Sequence, residues 1–462
     1  MKITVLNGSP KGKTSVTMQY VRYMQQEFPQ HELQIIHIAQ RIKKIERDEA
    51  AFQDVIDRVR ASDGVLWAFP LYILMVHANY KRFIELLWER DATDAFAGKH
   101  AAALSTSIHF FDHTAHNYVH AICDDLEMRF TGSFSAEMQD LLTEEGRAKL
   151  TTFAGDFFRA IEEDIPTPRR YAPLTSRAFD YAPGPVEHLI DAGDKRVVVV
   201  TDAQPHQTNL IRMIGRFEAA LSGDVEVINL HDVDIKGGCL GCLQCGYDNQ
   251  CAYQGKDGFI DFYNTKLRAA DVIVFAGAIR DRYLSSTWKT FFDRSFFNTH
   301  VPSLVGKQFG FIISGPLSQI PNLREILEAW IQMQRSNLAG FVTDEGDAGE
   351  IDGLLHHLAE RLIRLSDQGY VQPQTFLGVG GLKIFRDDVW GKLRIPFQAD
   401  HRAYKRLGVY DFPQRDLKVR ALNTFVAPLM KIRWVREQFT KHIKEGMIRP
   451  YQRIFADQKP GF

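Results

Sequence analysis

The feature that most constrains this 462-residue chain is an alternation of Val- and Ile-rich runs with helix-period segments that occurs twice. Ile3–Leu6, Leu33–Ile38, Val65–Phe69 and Ala101–Leu104 form a first set of runs, and Val197–Val200, Val225–Leu230, Val272–Ala276 and Phe309–Ile313 a second. Strands separated by helices predict a parallel sheet covered by helices. The two sets also match each other. At a constant offset of 208 residues, Asp63, Trp67, Ala68, Lys81, Phe83, Gly98 and Lys99 pair with Asp271, Phe275, Ala276, Lys289, Phe291, Gly306 and Lys307. Such a gap-free register reads as a duplicated unit rather than as shared strand composition. Nearer the start, Pro10 pairs with Pro205 at an offset of 195, so about thirteen extra residues enter the second copy before Asp271.

The resulting division is a first α/β domain over 1–163, a linker over 164–194, a second α/β domain over 195–345 and a helix-rich extension over 346–462. Five prolines between 166 and 185 remove backbone donors and block helix in the linker. The extension carries Gly378-Val379-Gly380-Gly381, read as a glycine turn. Its last part is basic, with 14 Lys and Arg against 5 Asp and Glu over residues 401–462, although the whole chain is nearly neutral at −1. Within it, Lys431, Arg433, Arg436, Lys441 and Lys444 alternate with Ile432, Val435, Phe439 and Ile443 at helical spacing. The expectation is an apolar stripe packed on the neighbouring domain, with an anionic membrane or an acidic electron carrier as the alternatives. Balanced charge gives no reason to expect nucleic acid. No apolar run approaches the roughly 18 residues of a transmembrane helix, and the opening Met1–Gly8 reads as a strand rather than a signal peptide, so a cytoplasmic protein is expected.

Three segments carry chemistry. Asn7-Gly8-Ser9-Pro10-Lys11-Gly12-Lys13-Thr14-Ser15 joins the first strand to a helix. Its glycines let backbone approach an anion, while Ser9, Thr14 and Ser15 offer hydroxyls and the helix its N-terminal amides. The loop is neither a Walker loop nor a Gly-x-Gly-x-x-Gly fingerprint. Phe69-Pro70-Leu71-Tyr72 ends the third strand, where an open α/β sheet binds ligands, and Tyr72 could face a planar ring. The third segment is Cys239-x2-Cys242-x2-Cys245-x5-Cys251, four of the five cysteines. Interspersed glycines permit a tight loop in which the thiolates converge on one centre, an iron–sulfur cluster or a structural zinc. Thiols that bind nothing or form a regulatory disulfide are the remaining readings. Cys123, in an apolar helical context, reads as a core thiol.

Gly-Ser-Pro-Lys after the first strand, Pro-Leu-Tyr after the third and Thr106-Ser107 after the fourth together resemble the NADPH-dependent FMN reductase family. The resemblance covers residues 1–160 and, more weakly, 195–345. It implies two tandem flavodoxin-like, doubly wound domains with strand order 2-1-3-4-5. By the same resemblance Ser9, Lys11, Thr14 and Ser15 hold the FMN phosphate, and Pro70, Leu71, Tyr72 and Ile73 with Thr106 and Ser107 line the ribityl chain and ring. The chain departs from the family at Ile73-Leu74-Met75, where an aromatic or polar residue and then Gly are usual. The cysteine motif is similar to that of the iron–sulfur flavoproteins of this family, which implies a [4Fe-4S] cluster on Cys239, Cys242, Cys245 and Cys251. In the second copy the first loop reads Ala203-Gln204-Pro205-His206 and the second Ala278–Tyr283, so FMN is expected in the first copy only.

His109, His113, His116 and His120 follow the fourth strand at i, i+4, i+7 and i+11, with Asp112 among them. One helical face would carry all four. A second metal site is the weaker reading. The preferred one makes His109 or His113 the proton donor to the flavin, and a solvated helix face is the plain alternative. Members of the resembled family dimerise with the flavin near the interface, so the two copies could pair within one chain and bring the cysteines toward the flavin. The expected function is a flavin-dependent oxidoreductase, taking electrons from NAD(P)H or ferredoxin and passing them to a quinone, a free flavin or another small acceptor, as a homo-oligomer. The competing expectation is a non-enzymatic electron carrier or redox sensor with a zinc or thiol/disulfide site.

Overall fold

The computed structural model describes residues 1–412 and 415–456. Ten strands form, β1 (Lys2–Asn7), β2 (Glu32–His37), β3 (Gly64–Pro70), β4 (His100–Ser107), β5 (Arg129–Glu137), β6 (Val197–Thr201), β7 (Val225–Asn229), β8 (Val272–Ala278), β9 (Gln308–Ser314) and β10 (Asn337–Thr343). They build two five-stranded sheets, β2-β1-β3-β4-β5 and β10-β9-β8-β6-β7, and every strand pairing is parallel. Counted within each half, the strand order is 2-1-3-4-5 in both, the doubly wound arrangement expected from the sequence.

Register corrects one detail of the repeat. Asn7 lies opposite Ala68, and Thr201 opposite Ala276. Because Ala68 and Ala276 are 208 apart, the first strands align at an offset of 194 rather than 195. Asp202 therefore takes the place of Gly8, and the two prolines are one position out of step.

The first-half helices are α1 (Val16–Glu27), α2 (Ile38–Arg47), α3 (Glu49–Arg60), α4 (Ala78–Glu89), α5 (Asp112–Asp125) and α6 (Glu144–Glu162). Their starts follow capping chemistry, since the side chains of Ser15, Asp48 and Thr143 accept hydrogen bonds from the first-turn amides of α1, α3 and α6. Met18, Tyr20, Val21 and Met24 of α1 and Leu150, Ala154, Phe157 and Phe158 of α6 close one face of the first sheet. The second half has α7 (Thr208–Ala219), the single turns α8 (Cys245–Asp248) and α9 (Phe259–Phe262), α10 (Ser286–Ser295), α11 (Pro321–Met333) and α12 (Ala348–Asp367). Ile351, Leu355, Leu358 and Leu362 of α12 join Val197, Val199 and Val274 in one apolar cluster, so the layers of the second half run on to Asp367.

After α12 come α13 (Phe376–Trp390), α14 (Gln398–Arg406), α15 (Leu417–Leu429) and α16 (Arg433–Ala456). The sequence Gly378–Gly381 lies inside α13 and makes no turn. A Cβ on Gly381 would stand 2.5 Å from the Phe110 ring, so the residue is small to let the helix approach. The chain divides into two compact units, 1–403 and 404–462. In the second, Ile432, Phe439 and Ile443 are exposed. Among the described residues no helix is long and apolar enough to cross a membrane.

The linker has no regular secondary structure but is strapped down. Asp124 Oδ2 accepts from the amides of Arg170 and Tyr171. Tyr181, fully buried, donates its hydroxyl to Asp352.

Candidate functional site

Asn7 folds the first loop. Its Oδ1 accepts from Ser9 N at 2.9 Å and its Nδ2 donates to Gly12 O at 3.2 Å, which curls residues 8–12 around the end of β1. Gly12 has φ +59°, and a Cβ there would run into the Gln40 side chain. A Cβ at Gly8 would meet the Tyr80 ring at 2.8 Å. Both glycines are thus required by close approach, as a cradle needs. Ser9 is buried, with its Oγ accepting from Lys11 N, and Ser15 is buried as the cap of α1. Lys11 and Thr14 are exposed.

The third and fourth strand ends border this loop and the start of α1, with Gly8 N donating to Ala68 O. Thr106 and Thr17 share a hydrogen bond of 2.7 Å between their hydroxyls, and Thr106 O accepts from Leu71 N. Ser107 Oγ accepts from His109 N. After Pro70 and Leu71 the chain makes a tight turn in which Tyr72 and Met75 exchange both backbone hydrogen bonds. Its central residues, Ile73 and Leu74, sit at φ +36° and +60°, where non-glycine residues cost roughly 1–3 kcal/mol each. The family departure at Ile73–Met75 is therefore a strained turn. The same turn recurs 208 residues later, where Arg280 and Tyr283 exchange both bonds around Asp281 (φ +45°) and Arg282 (φ +60°).

The two halves meet through α4 and α10 in reciprocal fashion. Ala78 N donates to Asp293 Oδ2 at 2.7 Å, and Ser286 N, its equivalent at +208, donates to Glu85 Oε1 at 2.6 Å. Each helix start is thus capped by a carboxylate from the other helix. Lys81 pairs with Glu85 and reaches Asp281 of the second turn at 3.3 Å, while Lys289 pairs with Asp293 and donates to Tyr72 O of the first turn at 2.9 Å. All four helix residues are at most 1% exposed. Burial lowers the pKa of Lys289, with Asp293 acting in the opposite direction. For Glu85 burial raises the pKa, but Lys81 and its other partners outweigh it and hold the carboxyl below its ordinary value.

This pairing brings the cysteine loop of the second half onto the first-half loops. Cys239 O is hydrogen-bonded to His77 Nε2 at 2.8 Å, and His77 packs edge-on against the Tyr72 ring at 4.7 Å. Lys43 donates to Lys236 O at the entry of the loop. Gly241, at φ +62°, lies so close to Tyr72 that a Cβ would collide with its hydroxyl and stand 3.0 Å from Lys11 Cε. Arg294, 2% exposed, anchors the far side with two hydrogen bonds to Asp257. Cys245 is buried, Cys239 and Cys251 are partly buried and Cys242 is exposed. Burial pushes the Cys239 and Cys245 thiols up to about 12, with a further upward push from the neighbouring cysteines. Gly241 N donates to Cys239 Sγ at 3.4 Å. Among the described residues no group of three or more His, Cys, Asp or Glu is gathered as for a single metal ion, so the placed thiols do not form the single centre expected from their spacing. The loop spreads them between its buried and its solvent side.

The histidine run is not one helical face. α5 begins at Asp112, and His109 lies before it at φ +60° with its Nδ1 on Asp112. His113 is exposed and bonded to Glu325 of α11. His116 is buried, bonded through Nε2 to Ser105 Oγ, and its pKa is lowered to about 4 by burial. His120 stacks on Phe130. Cys123 is a fully buried thiol of α5, its pKa pushed up by burial. Sequence reasoning missed His77, Lys289 and Asp293, whose only signal was the 208-residue register that pairs the two helices.

The loops after β1, β3 and β4 thus carry the motifs singled out in the sequence, within a segment ending at β5. Residues 1–137 match the NADPH-dependent FMN reductase family. That segment ends with the last residue of β5. No curated protein sequence matches the chain. Among solved structures, the chain is similar to an NADH:FMN oxidoreductase, EMOB, in its apo form, with 19% identity over 34% of this chain and 89% of that one and a TM-score of 0.30. It is also similar to FerB, a flavoenzyme NAD(P)H:(acceptor) oxidoreductase from Paracoccus denitrificans, with 20% identity, coverage of 35% and 97% and a TM-score of 0.28. An FMN-dependent NADH-azoreductase from Bacillus anthracis, in complex with FMN, aligns at 10% identity, with coverage of 35% and 99% and a TM-score of 0.26.

Proposed function

We propose that this protein is an FMN-dependent oxidoreductase that takes electrons from NAD(P)H or reduced ferredoxin, holds FMN in its first half and passes electrons through a [4Fe-4S] cluster to a small acceptor such as a quinone. The observation that carries this reading is the seating of the cysteine loop of one half on Tyr72 and Lys11 of the other. A cofactor under that loop and one within it would be neighbours.

The first-half loops fit FMN, whereas the four thiols would have to draw together to hold a cluster. Gly8 and Gly12 let the loop backbone pack closely on Tyr80 and Gln40, and Asn7 holds that backbone in place. Ser9, Lys11, Thr14 and Ser15 would bind the phosphate, and Pro70, Leu71, Tyr72, Ile73, Thr106 and Ser107 the ribityl chain and ring. Cys239, Cys242, Cys245 and Cys251 would ligate the cluster. The amide of Gly241 donates to Cys239 Sγ, a contact that favours the thiolate a metal requires. Bound FMN supplies a two-electron acceptor that can release electrons singly, and a bound cluster supplies a one-electron station.

The chain's own residues do the rest. Lys289 fixes the Tyr72 carbonyl and so the strained turn beside the ring. His77 ties the cysteine loop to that turn. His109, held through Nδ1 by Asp112, keeps Nε2 for a proton, whereas His113 spends its Nε2 on Glu325. His109 is therefore the proposed donor.

Anaerobic steady-state oxidation of NADPH, NADH and reduced ferredoxin with a quinone tests the proposal. Turnover with one donor that collapses in Cys239→Ser is expected. Absence of turnover with all three donors, despite bound FMN, would leave an electron carrier.

A further inference from the structure

The second half has a mouth of its own. A cavity of about 970 Å³ opens at the carboxyl ends of β6 and β8, between the loop after β6, the start of the cysteine loop, and helices α2 and α4 of the first half. It occupies the position on the second sheet that the phosphate loop occupies on the first, but its chemistry differs. Asp202 stands where the first half has Gly8, and Trp288 where it has Tyr80. Asp202 is 5% exposed and lines the cavity. Its Oδ2 accepts from Ser285 Oγ, while Oδ1 and the indole Nε1 of neighbouring Trp288 are both buried and unpartnered, with His231 the nearby cation when protonated. A buried carboxylate at that point repels a phosphate and asks for an N–H or O–H donor.

The charges at the cavity's edge have the opposite sign. Glu46, Glu85 and Glu89 are all ion-paired with Arg82, Glu85 also with Lys81 and Glu89 also with Arg280. Lys43, Arg47 and Lys236 line the same cavity, are exposed, and form no ion pair among the described residues. Lys43 comes from the first half and Lys236 from the second, and the two are joined by the Lys43 Nζ to Lys236 O hydrogen bond. Apolar wall between floor and rim comes from Leu230, Val233, Ile235 and Ile279.

We infer that this cavity binds a nucleotide, with a donor edge of the base on Asp202, the base against the apolar wall, and the phosphates on Lys43, Arg47 and Lys236. A planar, donor-bearing head with an anionic tail satisfies the buried carboxylate and the unpaired cations together, and the volume accommodates a mono- or dinucleotide. FMN placed as in the first half would set its phosphate against Asp202. The inference does not rest on the proposed FMN site, which uses other loops.

Calorimetric titration of the full chain, as purified, with ADP, GDP, CDP, UDP and FMN tests it. One of the four diphosphates is expected to bind at one per chain with Kd below about 100 μM. Asp202→Asn should weaken it at least tenfold, and Lys43→Gln with Lys236→Gln about tenfold while flattening the salt dependence. Asp202→Asn keeps the side-chain shape and an acceptor for Ser285 Oγ while removing a buried charge, so its melting temperature should not fall, which separates a lost contact from a lost fold. Failure of all four diphosphates to bind below about 1 mM would overturn the inference. So would unaltered affinity in Asp202→Asn, or a second FMN per chain bound in competition with the nucleotide.

Discussion

The two halves share strand order, a strained turn at the end of the third strand and a lysine–carboxylate pair on the following helix, yet their ligand mouths have diverged. The first keeps Gly8 and Gly12, and the cysteine loop of its partner half covers it. The second has Asp202 in the cradle and stays open as a wide cavity. Two sheets of the same strand order thus differ in a few residues at their strand ends and in the cysteine loop, while the reciprocal α4/α10 contact joins them.

The contact between the halves offers the largest effects. Lys289→Ala leaves Asp293 buried without its partner and frees the Tyr72 carbonyl, and should cost about 3–5 kcal/mol in denaturant unfolding. Lys81→Ala should cost less, because Glu85 retains Arg82 and Ser286. Equal losses would break the asymmetry argued for the two turns.

A pH effect is expected from a histidine of the first half. The pKa of His116 is lowered to about 4 in the fold, against about 6.5 when unfolded. The neutral ring is the form the fold accepts, so its contribution is complete above pH 6.5 and is lost as pH falls toward 4. The loss should total about 3 kcal/mol. Comparing melting curves of the wild type and His116→Gln from pH 7.5 to 4.5 checks it, with the variant showing the shallower decline.

Gly8→Asp, which writes the second-half residue into the first, should weaken FMN binding at least a hundredfold, about 3 kcal/mol. A Cβ 2.8 Å from the Tyr80 ring and a carboxylate beside a phosphate both act against the ligand. Fluorescence titration of FMN reads it out, and retained affinity would mean the loop is no cradle. The smallest effect is expected at His109. His109→Asn should slow quinone reduction by about tenfold to a hundredfold without altering FMN content, as for loss of a general acid from an exposed site.

Much of this was legible in the sequence. The apolar strand-like runs predicted eight of the ten strands, and the family resemblance implied the order 2-1-3-4-5 in both sheets. β5 and β10 were not read as strands. Each pairs along one edge only, and their sequences, RFTGSFSAE and NLAGFVT, carry Gly and few β-branched apolar residues. The three loops after β1, β3 and β4 could be found from their motifs, since their chemistry is local. What the sequence could not supply was tertiary. Gly378–Gly381 looks like a turn until Phe110 is seen against it, and His77, remote in sequence from the cysteines, becomes part of the site only when Cys239 O is placed on its ring. The spacing of His109 and His113 suggested one helical face, but the helix starts between them, at Asp112.

The central claim is that one half holds the flavin and the other brings the cysteines to it. Anaerobic purification followed by quantitation of FMN, iron and sulfide, with a visible spectrum, tests it most directly. The account predicts one FMN per chain and about four irons with broad iron–sulfur absorption, the iron lost and the FMN kept in Cys239→Ser. FMN in both halves, or none at all, would contradict it.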